Sequence, residues 1–154
     1  MTTQAILDHQ THRAGTHRAR AATEYLVPLG RFFFVAIFLL SGPRHFATQT
    51  IEYARQAGVP AADLAVPLAG IIALLGGLSI LLGYKAKLGA WLLVLFLVPV
   101  TVMMHRFWGL SDPHLVMLQQ VNFMKNLSML GAALMIAHFG SGPISIDARR
   151  SDRH

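Results

Sequence analysis

The sequence predicts an all-α integral membrane protein: a four-helix bundle with both termini on the cytoplasmic side. Three observations predict it. Charged residues make up only 13% of the 154 residues, about half the share in a soluble domain, and mean hydropathy is +0.50. Four apolar segments each approach the ~20 residues a helix needs to cross a ~30 Å hydrocarbon core. The basic residues gather beside those segments, as topology signals do. Helices are required because backbone polar groups in lipid must find partners within their own segment. The short alternating segments of a β-barrel are absent.

Residues 1–24 form a polar, basic N-terminal arm rich in Thr, His, Arg and Ala, without apolar periodicity. The first apolar stretch comes too late for a secretory signal, and no small-residue cleavage site follows it. A membrane domain over residues 25–147 and a basic tail over 148–154 complete the chain.

The first span runs from about Tyr25 to Gly42, interrupted only by Arg31. Residues 43–63 follow, with Ile51, Tyr53, Ala54 and Val59 spaced for a short helix lying on the membrane surface. The second span, Leu64 to Tyr84, has no charge. Along it Ala65, Ala69, Ala73 and Gly77 form a row of small residues that permits close helix approach. The third, Leu88 to Met104, is also uncharged and contains Pro99, whose missing N–H frees a carbonyl. A second outer loop, residues 105–120, carries His105, Arg106, Trp108, Asp112, His114, Gln119 and Gln120. The fourth span, Val121 to Gly140, holds Lys125 and His138.

Orientation follows from Lys and Arg. With both termini inside, the inner side receives Arg13, Arg18, Arg20, Lys85, Lys87, Arg149, Arg150 and Arg153, and the outer side only Arg44, Arg55 and Arg106. Tyr25, Tyr84 and Trp91 then fall at the inner boundary, and Phe46, Phe107 and Trp108 at the outer one. The net charge of +6 is therefore read as anchoring to the lipid bilayer and not as a nucleic-acid surface.

Chemistry is sparse. The absence of cysteine removes thiol catalysis and Cys-ligated metal centres. No nucleophile motif, phosphate loop or carboxylate pair lies in the spans, so no catalytic residue is assigned. Charges inside a span cost ~2.5–3.5 kcal/mol each on insertion scales, so Arg31 and Lys125 need a reason. Arg31 either snorkels to the interface or faces inward to bind an anionic head group, a quinone carbonyl or a partner. Lys125 shares a helix face with Asn122, beside Asn126 and one turn beyond Gln119 and Gln120. That face must look into the bundle. With His45 and His105 at the outer ends of spans one and three, it predicts a polar cluster of His45, His105, Gln119, Asn122, Lys125 and Asn126, serving as a ligand pocket or as a structural network. His45, His105 and His114 with Met103, Met104 and Met117 are chemically suited to copper, but they lack ligand spacing and no metal is assigned.

Gly30-Arg31, Phe38 and Ser41-Gly42, then Gly76-Gly77 with Leu81-Leu82-Gly83, then Lys125-Asn126-Leu127 with Gly131, and the ending Gly140-Ser141-Gly142-Pro143-Ile144-Ser145-Ile146-Asp147 together resemble the DoxX family over about residues 25–147. Ala73 stands where members often carry Glu, and His45 where many carry Lys. The resemblance implies a bacterial or archaeal cytoplasmic membrane. It also implies kinship with the small subunit of thiosulfate:quinone oxidoreductase, and hence a quinone as the one cofactor to expect. The leading expectation is a non-catalytic subunit that helps a redox complex engage quinone or lipid through Arg31 and the Asn122–Lys125–Asn126 face. A scaffold or assembly protein is the alternative, and a small-solute carrier a third. Other redox subunits are the expected partners, and a homo-oligomer is compatible with the sequence.

Overall fold

The computed structural model describes residues 24–151. The expected N-terminal arm, apart from Glu24, and residues 152–154 of the tail lie outside the described residues. Within them every regular element is helical and no strand occurs. In chain order these are α1 (Leu26–Ser41), a 3-10 turn (Gly42–Phe46), α2 (Thr48–Gln56), α3 (Ala62–Leu82), α4 (Ala86–Met104), α5 (Pro113–Phe139) and a short α6 (Ile146–Ser151).

Among the described residues three stretches are long and apolar enough to cross a membrane: Leu26–Phe46, Ala62–Leu82 and Ala86–Met104. At 27 residues α5 is longer than any of them, about 40 Å at helical rise, but its Asn122, Lys125 and Asn126 make it less apolar. It starts earlier than Val121, the residue its hydropathy suggests. Asp112 accepts the His114 backbone N–H at 2.8 Å and Pro113 occupies the first position, both start signals for a helix. Gln119 and Gln120 are therefore helical and the outer loop is shorter than expected. Similarly, α3 begins at Ala62, two residues before the expected Leu64, and Pro67 stands inside the helix.

Consecutive long helices run antiparallel. Close backbone approach joins α1 to α3, α3 to α4 and α4 to α5, whereas the seam between α1 and α5 lacks it. The tightest crossing is glycine on glycine: a Cβ at Gly76 would stand 2.9 Å from the Gly89 carbonyl, and one at Gly89 equally near the Gly76 carbonyl. Such contacts are how helices associate in lipid, where no hydrophobic drive between them exists. Val35, Phe38, Ile80, Leu93 and Leu97 fill the interior, with Phe38 edge-on to Phe96 at 6.0 Å. The outer surface is equally apolar: Leu40 is 77% and Phe139 75% exposed. In water such a surface drives association; in hydrocarbon it matches the solvent.

The short helix expected between the first two spans is α2. Its Ala54 is buried against Ala62 and Val66, with Ile51, Val59 and Met104 alongside. Arg55 bonds both carboxylate oxygens of Asp63 at 2.7 and 2.9 Å and also pairs with Glu52. The Asp63 hydrogen bond, then the charges of Asp63 and Glu52, raise the Arg55 pKa above its ordinary value. This exposed ion pair ties α2 to the start of α3.

Candidate functional site

At the end of the bundle where α1 and α4 finish, α1, α3, α4 and α5 line, with α2 along one side, a cavity of about 660 Å³, well within the size range of small-molecule sites. Its walls are apolar, among them Phe38, Ile72, Phe96, Val100 and Met129. Four residues expected from the sequence to cluster line it: His45, His105, Lys125 and Asn126.

Each is held differently. His45 projects from the 3-10 turn, which can lie against α3 because Gly70 has no side chain: a Cβ there would come within 2.6 Å of the His45 Cβ. A carbonyl can only accept, so His45 Nδ1–H donates to Ser41 O at 3.2 Å, and the ring meets Phe96 edge-on at 5.6 Å. Gln119 Nε2 donates to the Tyr53 hydroxyl at 3.1 Å, leaving its oxygen to accept from His105 Nδ1 at 2.9 Å. In both rings Nδ1 is thus engaged within the protein, and Nε2 is the nitrogen left for a guest. Asn122 Oδ1 accepts one N–H of the Lys125 ammonium at 2.8 Å, which leaves two donors. Lys125 is exposed and Asn126, one residue on, is only 5% exposed, so the cavity opens beside Lys125. No described side chain bonds the Asn126 amide. Its two donors and one acceptor are therefore available to a guest.

Gln119 and Asn122 act one step back from the cavity, orienting His105 and Lys125. Arg31 does not join them. It lies near the opposite end of the bundle, buried, where Nη2 donates to the Ile144 carbonyl at 2.7 Å while Nε and Nη1 have no partner among the described residues. Around it the closing segment folds back over the helix ends. Asp147 accepts from the backbone N–H of Lys85 (2.9 Å) and Ala86 (3.2 Å) at the start of α4, a favourable place for a carboxylate. Its own N–H returns to Gly83 O at 2.9 Å, and its charge reaches Arg31. Ser145 caps α6 by accepting from Ala148 N at 3.0 Å.

Tyr53 and Ser41 line the site and Gly70 makes room for His45, yet none was assigned to it from the sequence: Ser41 entered only with Gly42 in a family-like motif, and Tyr53 only as an apolar position on a surface helix. Asp147 was visible only as part of a family-like ending, although Ser145 three residues before Ala148 is itself a capping signal. Among the described residues no group of three His, Asp or Glu is placed to hold a metal.

Comparison with known proteins adds two findings. The family model named DoxX matches residues 26–106. The inner membrane protein YphA of Escherichia coli (strain K12) is 30% identical over 131 residues, covering 84% of this chain and 93% of that relative. No solved structure matches.

Proposed function

The chain belongs to the DoxX family of integral membrane proteins, and from that premise we propose that it is an accessory membrane subunit that holds a quinone for a redox complex. A single observation carries the proposal: an apolar cavity of about 660 Å³ lined, beside Lys125, by Asn126, which is only 5% exposed and is bonded by no described side chain. Ring carbonyls of a quinone accept hydrogen bonds, which Lys125 and Asn126 supply. Hydroxyls of a quinol donate, and the Nε2 atoms of His45 and His105 accept. The quinone itself brings the two-electron carrier chemistry that the side chains lack; the protein's part is to orient the ring and shield it. Arg31 has no share in this pocket.

The reading takes α5 as the fourth crossing, with both ends of the chain on the inner side of a bacterial or archaeal cytoplasmic membrane. The balance of eight basic residues against three supports that orientation. A fourth crossing also sets Asn126 inside the bundle and Lys125 at the cavity's opening, so that the polar groups at membrane depth turn toward one another.

The test is quinone retention. Protein purified in mild detergent is extracted and its quinone content measured. Asn126→Leu and Lys125→Ala are expected to lower retention roughly tenfold each, the weight of one or two hydrogen bonds to buried groups. Equal retention by both variants overturns the proposal.

A further inference from the structure

A second concave site lies at the other end of the molecule, independent of the quinone reading. A groove of about 530 Å³ runs between the start of α4, the end of α5 and α6. Lys85 and Lys87 stand on its α4 side, Ser151 on α6, and the exposed apolar side chains of Leu88 and Phe139 lie along it. Lys87 reaches across toward Gly140, where an added Cβ would stand 3.3 Å from its Cε. Asp147 also lines the groove, but its oxygens are bonded to the Lys85 and Ala86 amides, and Arg31 lies within reach of its charge. The field in the groove is therefore set by the two lysines, reinforced by Arg149 and Arg150 on α6. Arg150 stacks on Tyr84 at 4.8 Å.

Two cations beside a strip of exposed apolar side chains, where the spans end, match one kind of molecule. We infer that the groove binds the head group of an anionic phospholipid, its phosphate on Lys85 and Lys87 and its acyl chains against Leu88 and Phe139. Free phosphate fits only the polar half. A zwitterionic lipid brings a choline that two lysines repel. Basic pockets between helices at a membrane face recognise anionic head groups by this charge pairing, at about 1 kcal/mol per cation, or about fivefold in affinity.

Trp91 provides the reporter: it is one turn beyond Lys87 on the same face and 56% exposed. In a Trp108→Phe background, the protein is placed in nanodiscs of unlabelled phosphatidylcholine doped with brominated phosphatidylglycerol or brominated phosphatidylcholine. Phosphatidylglycerol is expected to quench Trp91 at a lower mole fraction, and each of Lys85→Gln and Lys87→Gln to lower that preference about fivefold. Lys87→Arg keeps it. Arg149→Gln with Arg150→Gln, which removes the same charge from outside the groove, leaves most of it. An equal loss in this double variant and in Lys85→Gln combined with Lys87→Gln, each lacking two cations, means diffuse surface attraction and overturns the inference. So does equal quenching by the two lipids, or full competition by inorganic phosphate.

Discussion

Gly83 is fixed by two constraints that act together. It ends α3 with φ +62°, and any Cβ there collides with Arg31 Nη1 and Ser145. Gly83→Ala is therefore expected to cost about 1–3 kcal/mol from backbone strain alone, read as a lower thermal midpoint in detergent. Asp147 carries a similar burden through charge. Its carboxylate satisfies two N–H groups at the start of α4 and offsets the buried guanidinium of Arg31. Asp147→Ala is expected to destabilise by about 1–2 kcal/mol, the value of a lost cap, while Asp147→Asn retains part of that. A denaturant titration of the three proteins orders them.

Among the elements, α3 shows how one stripe serves two ends. The row Ala65, Ala69, Ala73 and Gly77 reads as uniform, but only its inner half packs closely. Ala73 is fully buried and Gly77 faces Phe38 and Leu39 of α1, whereas Ala65 and Ala69 line the cavity. Adding volume has opposite consequences at the two ends. Ala69→Phe is expected to fill the cavity and abolish quinone retention without lowering the melting point. Gly89→Ala, on the facing helix, pushes a Cβ to 2.9 Å from the Gly76 carbonyl and is expected to cost about 1–3 kcal/mol through overpacking. Comparing the two variants by thermal melting and quinone content separates holding the bundle from holding a guest.

For the whole molecule the decisive quantity is the number of crossings. Four place both ends on one side; three place them on opposite sides. The chain has no cysteine, so single-cysteine variants report without background. Thr3→Cys and Ser151→Cys are expected to resist a membrane-impermeant maleimide applied to intact cells, and Gln49→Cys to react. Labelling of Ser151→Cys alone among the two ends contradicts the fourth crossing.

The four long helices, the short α2, their order and the grouping of His45, His105, Lys125 and Asn126 were legible in the sequence, because each follows from short-range rules; α6 was not. Hydropathy over ~20 residues sets a span, three- and four-residue spacing sets a face, and antiparallel neighbours must bring alternate ends together. What no spacing rule reaches is distance between helices. Arg31 was expected to share a quinone with the Asn122–Lys125–Asn126 face, but Ile144, 113 residues later, folds back to accept its N–H at the other end of the bundle. Tyr53 gained a role only because Gln119, 66 residues away, meets its hydroxyl. The cavity itself arises where the helices part beside Ala65 and Ala69, while the same row closes around Ala73 and Gly77. Sequence determined which side chains share a helix and a face; tertiary packing decided which faces touch and which leave room, since that depends on long-range close contacts that local propensity does not encode.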